Sequence, residues 1–271
     1  MATTLDTQTI QAIAARLEEA ELTRKSIRPA SAEHPGINMD DAYAIQAEWM
    51  RLKLADGRRR VRGHKIGLTS RAMQKSSNIN TPDSGVLLDD MFYHDGAEIP
   101  FERFVMPRLE VELGFMLGRD LRGPDCTIFD VLDAAEYVAP CLEIIDTRFA
   151  MQDPVSGAGR KVFDTIADNA CNAALVIGGT ALKPSAIDLR WASAILYQNA
   201  VIEETGVAAG VLGHPATGIV WLANRMATLG EHLKKGQFVM AGSFTRPVFV
   251  ARGDVFNVEY NTLGSVSCRF V

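Results

Sequence analysis

Residues 108–117, RLEVELGFML, alternate without a break between two kinds of side chain. Leu109, Val111, Leu113, Phe115 and Leu117 fall on one side, and Arg108, Glu110, Glu112, Gly114 and Met116 on the other. Successive side chains of a strand point to opposite faces, so this period of two predicts a strand with one apolar face against a core. A helix would scatter the same residues round its circumference. On the polar face Glu110 and Glu112 stand two apart, with Cβ atoms roughly 6.5–7 Å from each other, so their carboxylates can converge. A third carboxylate, Glu143, sits inside the apolar run Pro140-Cys141-Leu142-Glu143-Ile144-Ile145, which predicts another strand over 139–146. A buried carboxylate is costly without a partner. Three at one point call for a cation, and all-oxygen ligation suits a hard ion such as Mg²⁺ or Mn²⁺. Spacing alone leaves an alternative open, in which Glu110 and Glu112 face solvent on an edge strand and Glu143 is bonded to an arginine.

The chain before this strand has a different pattern. Ile10, Ile13, Ala14, Leu17 and Ala20 predict an amphipathic helix over 7–25. Ala42, Ile45, Trp49 and Leu52 predict a second over 40–55, stopped by Gly57. A boundary near residue 60 then divides an N-terminal helical arm, 1–60, from a β-rich catalytic part, 61–271. In that part helices are expected at 127–137, with Thr127 as N-cap, and at 214–229. Strands are expected at 172–178, 189–197, 237–243 and 254–270. They do not alternate with helices of ordinary length, which argues against a doubly wound or TIM-barrel fold and for α+β.

Composition narrows the function. A net charge of −5 and a pI near 5.6 give no basic field for nucleic acid or an anionic membrane. An anionic substrate therefore needs a local receiver. Cys126, Cys141, Cys171 and Cys268 have long, unequal gaps and no C-x-x-C, which predicts reduced core thiols. The N-terminus lacks the charged and apolar regions of a signal peptide, and no apolar run approaches the roughly 20 residues of a membrane span. A cytoplasmic protein is expected. Dinucleotide, Walker, H-E-x-x-H and G-x-S-x-G motifs are missing. The five histidines are scattered, and only His64 has a notable neighbourhood.

That neighbourhood is 62–70, RGHKIGLTS, where Lys65 stands in a glycine-flanked, strand-like run. Beside a metal cluster its ammonium can hold an anion or transfer a proton. Alone, it reads sooner as a surface lysine on a turn. In 81–88, TPDSGVLL, Asp83 offers an acid on a Pro/Gly-shaped loop, and backbone N–H groups after Gly85 can cradle an oxyanion. Its alternative is an ordinary Asp-containing turn.

Taken together, these segments resemble the fumarylacetoacetate hydrolase superfamily, in its hydratase/decarboxylase branch. The likeness runs through GHKIGLTS at 63–70, PDSGVLLDDMF at 82–92, PRLEVEL at 107–113 and LEIID at 142–146. It continues through KVFDTIADNA at 161–170, EETGVAAGVL at 203–212, GSFTRP at 242–247 and GSVSCRFV at 264–271. The resemblance implies a mixed β-roll or distorted barrel with peripheral helices, and a homo-oligomer of five or ten chains. It implies a divalent metal, Mg²⁺ or Mn²⁺, on Glu110, Glu112 and Glu143, with Lys65 and Asp83 as catalytic residues. Lys65, Leu87, Leu88, Lys161 and Ser243 become the expected substrate contacts. The implied reaction is hydration of a 2-oxo or 2-hydroxy dienoate, a C7 dioate before a C5 monoacid. Decarboxylation of a related dioate, or a structural role beside such a decarboxylase, are the rivals. A C7 dioate carries a second carboxylate, for which Arg148, Arg160 and Lys161 in the Gly/Pro/Ser-containing segment 147–163 are the candidate receivers.

Overall fold

The computed structural model describes residues 2–76 and 78–271. The arm forms as its apolar spacing requires. Helix α1 (Thr7–Thr23) is capped by Asp6, whose carboxylate accepts from the Thr9 N–H at 2.7 Å. After the short α2 (Ala30–Glu33), α3 (Met39–Leu54) starts with a reciprocal cap between Asn38 and Asp41. Ile13, Leu17, Ile45 and Trp49 are buried from these helices.

The β-rich part begins with β1 (Val61–Gly67), the short helix α4 (Arg71–Ser76) and β2 (Asp83–Leu88). Strands β3 (Phe92–His94) and β4 (Ala97–Ile99) lead to β5 (Arg108–Leu117), α5 (Ile128–Ala134) and β6 (Ala135–Ile145). Next come α6 (Val162–Ala167), β7 (Asn172–Ile177), β8 (Ser193–Gln198) and β9 (Val201–Val207). Helix α7 (Ala216–Thr228), β10 (Phe238–Met240), β11 (Val248–Phe249), β12 (Val255–Tyr260) and β13 (Gly264–Phe270) complete the chain.

Two mixed sheets result. One has the order β2-β1-β10-β5-β6-β7-β3, with β11 joining the start of β5, and the other has the order β4-β13-β12-β8-β9. They form an open roll and not a closed barrel. The apolar faces of β5 and β6 (Leu109, Val111, Leu113, Leu142, Ile144) share a core with Phe256, Val258 and Phe270 of the small sheet. The arm helices cover the opposite side of the large sheet, against Leu87, Leu88, Leu175, Phe238 and Met240. Tyr260 links the sheets, its hydroxyl lying 3.0 Å from both the Glu112 and the Cys141 carbonyls.

Several boundaries differ from expectation. Thr127 does cap α5, but the helix stops at Ala134, because Ala135 and Tyr137 pair with Leu117 and Met116. Residues 254–270 are a hairpin and not one strand, and 189–191 form a 3₁₀ turn ahead of β8. The four cysteines are buried and free. The Gly/Pro/Ser-containing segment 147–163 is anchored. Phe149 is buried and bridges Ile27, while Asp153 accepts from Arg28 at 2.6 Å and from Ser156. No helix among the described residues is long and apolar enough to cross a membrane.

Candidate active site

The site lies where the large sheet is incomplete. Strand β10 separates β1 from β5, but it is three residues long and pairs only with Gly63–Lys65 and Gly114–Met116. Beyond Met240 the chain leaves β1, while the Ala241 and Phe244 N–H groups still donate to the Leu113 and Val111 carbonyls of β5, and β11 pairs with β5 at Arg108 and Leu109. Glu110 and Glu112 face this gap. Across from them, Glu143 on β6 is the register partner of Glu110, so all three glutamates share one face. One carboxylate oxygen from each lies within 4.8 Å of the others. Glu112 and Glu143 are buried and Glu110 half-buried, which rules out the solvated-edge alternative.

The neighbours fix these carboxylates. The Gly242 N–H donates to Glu112 Oε2 at 2.8 Å, and Asn172 Nδ2 to Glu143 Oε1 at 2.9 Å. Lys65 Nζ lies 3.2 Å from Glu143 Oε1 and donates to the Ala170 carbonyl at 3.0 Å. Asp83 enters from β2, where it is in register with Gly67. A Cβ at Gly67 would sit 3.1 Å from Lys65 Nζ and closer still to Asp83 Oδ1, so the glycine makes room for both charged groups. Ala170 belongs to a turn of three left-handed residues, Asn169, Ala170 and Cys171, with φ of 53°, 49° and 60°. The Asn169 amide pins this turn to both the N–H and the carbonyl of Val86.

Burial and like charge dominate the electrostatics. Desolvation and Glu143 push Glu110 up to about 7 and hold Glu112 well above the usual carboxylate range. Burial pushes Asp83 up to about 6, opposed by the Lys65 ammonium and reinforced by Glu143. Burial alone would lower Lys65, but Glu143, Asp83, Glu112 and Glu110 outweigh it and raise the amine above its ordinary value. Three buried oxygens of the cluster, Asp83 Oδ1, Glu143 Oε2 and Asn172 Oδ1, have no hydrogen-bond partner. Four acids thus face one lysine, and the all-oxygen donor set with an orphaned Glu143 oxygen fits a hard divalent cation.

A cavity of about 640 Å³ opens beside this cluster, with Lys65, Asp83, Arg108, Glu110, Arg160 and Lys161 among its lining residues. A second, of about 370 Å³, reaches Glu110 and Glu112 from the side of Thr69, Ser70 and Ser243. The Ser243 hydroxyl is already bonded to the Val111 and Thr245 carbonyls.

Three expected contacts lie elsewhere. Arg148 is fully buried away from both cavities, paired with Asp168 (Nε–Oδ1 2.5 Å) and lying 5.0 Å from the Trp49 ring centroid. Its place beside a Gly- and Pro-containing segment suggested a loop cation, whereas the acid that captures it is twenty residues away. Leu87 and Leu88 are fully buried in the apolar layer under the arm and line neither cavity. His64 alternates with Lys65 and points to the other face of β1, and burial lowers it to about 4. The sequence reading missed Arg108, although the period of two that paired Glu110 with Glu112 puts Arg108 on the same face. Asn172 and the Gly242 N–H carried no local signal.

The chain matches the fumarylacetoacetate (FAA) hydrolase C-terminal family over residues 60–271. It is 57% identical to 2-oxo-hept-4-ene-1,7-dioate hydratase of Escherichia coli, over 98% of this chain and 99% of the relative. Its identity to 2-hydroxyhexa-2,4-dienoate hydratase of Comamonas testosteroni is 38%, over 98% of each. Among solved structures, 4-oxalocrotonate decarboxylase from Pseudomonas putida G7, complexed with magnesium and adipate, superposes with a TM-score of 0.94 at 35% identity, covering 100% of both chains. The glutamate cluster, the open roll and the family match agree, and the chain belongs to the fumarylacetoacetate hydrolase family.

Proposed function

We propose that this chain is a divalent-metal-dependent hydro-lyase that hydrates a 2-oxo dienoate, preferring 2-oxo-hept-4-ene-1,7-dioate and giving 4-hydroxy-2-oxoheptane-1,7-dioate. The observation that carries this reading is the convergence of Glu110, Glu112 and Glu143 beside Lys65 and Asp83 at the wall of an open cavity. The named hydratases at 57% and 38% identity supply the reaction class. The three glutamates would hold the ion, Mg²⁺ before Mn²⁺. When bound, it supplies a Lewis acid that draws electron density from the 2-oxo acid and favours its enol form.

The chain's own groups do the rest. Lys65, kept cationic by the surrounding acids, holds anionic oxygens of the substrate. Asp83, placed near 6, gains or loses a proton close to neutrality, as a group moving protons on the carbon chain must. In balance, one water adds across the double bond, its hydroxyl to C4 and a hydrogen to C5. The arm, 1–60, and the β-rich part, 61–271, act as one unit in this reading. An assembly of five or ten identical chains is part of the same proposal. Strand β9 ends the small sheet with Val201 and Ile202 exposed, an edge such an assembly would cover.

A second reading, decarboxylation of a related dioate, is favoured by the superposition on a decarboxylase. The test is an ultraviolet assay of the C7 dioate and the C5 monoacid, with and without Mg²⁺, together with a CO₂ measurement. Mg²⁺-dependent loss of the dienoate with all carbon retained is expected. Stoichiometric CO₂ would replace the proposal with the decarboxylase reading, and no turnover of either acid would end both.

A further inference from the structure

A C7 dioate places one carboxylate at the glutamate cluster and a second several carbons away, and in a chain of net charge −5 that second group needs its own receiver. Most cations near the cavity are already engaged. Lys65 serves Glu143 and Ala170. Arg160 Nη1 donates to Thr147 Oγ1 at 2.6 Å and to Cys171 Sγ at 3.3 Å. Lys161 is exposed, and Arg148 is locked to Asp168.

Arg108 differs from all of these. It lines the same cavity as Lys65, Asp83 and Glu110, and its Nε is buried with no hydrogen-bond partner. The Phe249 ring lies 5.8 Å from its guanidinium and orients it. It also has the right position. Arg108, Glu110 and Glu112 form a row on one face of β5, and Arg108 stands at the end away from Glu112. The step from Glu110 is roughly 7 Å along the strand, comparable with the span of an extended seven-carbon acid.

We propose that Arg108 receives the distal carboxylate of a dicarboxylate substrate and thereby sets the preference for the C7 dioate over the C5 monoacid. The inference rests on the hydratase reading above and names the residue that reads its substrate. A carboxylate opposite the guanidinium satisfies Nε and a terminal nitrogen together, in the paired geometry that arginine offers and lysine does not. A monoacid leaves the buried Nε unpaired, and a site built to bond a group discriminates against an analogue lacking it.

The test compares Arg108→Gln and Arg108→Lys with wild type. One arm measures kcat/KM on both acids at saturating Mg²⁺. The other titrates adipate and hexanoate by calorimetry in Mg²⁺, which needs no turnover. In the glutamine variant the dioate-to-monoacid ratio should fall roughly ten- to a hundredfold, with a parallel loss of adipate's advantage over hexanoate. Lysine should restore part of both, and Mg²⁺ affinity should not weaken, because the lost charge is a cation beside Glu110. An unchanged ratio and an unchanged adipate advantage in a natively folded glutamine variant overturn the proposal. So does a shift that appears only in Arg160→Gln or Lys161→Gln. If wild type turns over neither acid, the hydratase reading fails, and the adipate–hexanoate comparison still decides Arg108.

Discussion

Replacing Glu112 with glutamine should stabilise the metal-free protein while removing its response to Mg²⁺. Glu112 is 1% exposed, and its carboxylate lies within 4.8 Å of those of Glu110 and Glu143. At an effective dielectric near 20, each like-charge pair at that separation costs about 3.5 kcal/mol. The attraction to Lys65 offsets about one pair, and partial protonation of the cluster relieves more, leaving a gain of about 1–3 kcal/mol at pH 8. Glutamine keeps an oxygen for the Gly242 N–H, so no donor is orphaned. Across 271 residues the unfolding entropy is about 0.57 kcal/mol/K, so the melting temperature should rise by about 2–5 °C.

The pH dependence has a definite sign. Glu110 is pushed up to about 7 from 4.5, so the folded metal-free chain holds protons that the unfolded chain releases in that interval. Wild-type stability therefore falls as pH rises from about 4.5 to about 7. The advantage of the variant should appear over that window and vanish below pH 5. Mg²⁺ at a hundred times its Kd should stabilise wild type by about 2.7 kcal/mol, or about 5 °C, and the variant by far less. Thermal melts at pH 5 and 8, with chelator and with Mg²⁺, measure all four states. A variant that melts lower than wild type at pH 8 in chelator, or that keeps the full Mg²⁺ shift, refutes the cluster as the metal centre.

Other substitutions separate chemistry from scaffold. Lys65→Ala and Asp83→Asn should each cut turnover by roughly 10²–10⁴ with Mg²⁺ affinity nearly retained, and Asp83→Asn should erase a limb near pH 6 in the rate profile. Steady-state kinetics beside Mg²⁺ titration checks this, and a loss below tenfold in both would make them scaffold residues. Gly67→Ala should displace Asp83 and Lys65 and lower turnover while circular dichroism stays native, because the nearest atoms its Cβ meets belong to those two side chains. Arg148→Ala should strand the buried Asp168 carboxylate and destabilise by about 3–5 kcal/mol, without altering the ratio of dioate to monoacid turnover in the folded fraction.

The readable and unreadable parts of this chain differ by the range of the forces involved. The period of two in 108–117 is local, and it placed Glu110 and Glu112 on one face, with the apolar residues against the core. Glu143 was legible because a charge in an apolar run is an anomaly at the scale of a few residues. The pairing of Glu143 with Glu110 was not, since register is set by contacts across 33 positions. Arg148 was misplaced for the same reason, because its partner Asp168 lies across a loop and a helix. The end of α5 was overridden by the demand of β5 for a partner along its whole length. The left-handed turn at 169–171 carries no glycine to announce it, and its support comes from Asn169 bonding to a strand more than eighty residues earlier.

The three-residue length of β10 has a consequence for how this fold can change. A sheet interior normally satisfies its backbone groups by pairing, and here the chain leaves β1 after Met240 and, with Ala241 and Phe244 still bonded to β5, turns the Gly242 N–H to a carboxylate instead. Catalytic capacity is thus set by where a ladder of hydrogen bonds ends. Substitutions that let the segment after Met240 pair on along β1 would tighten the sheet and close the cleft in the same step. Selection for thermal stability alone would therefore drive this region toward inactivity, and the short strand is held against that pressure by the reaction it permits.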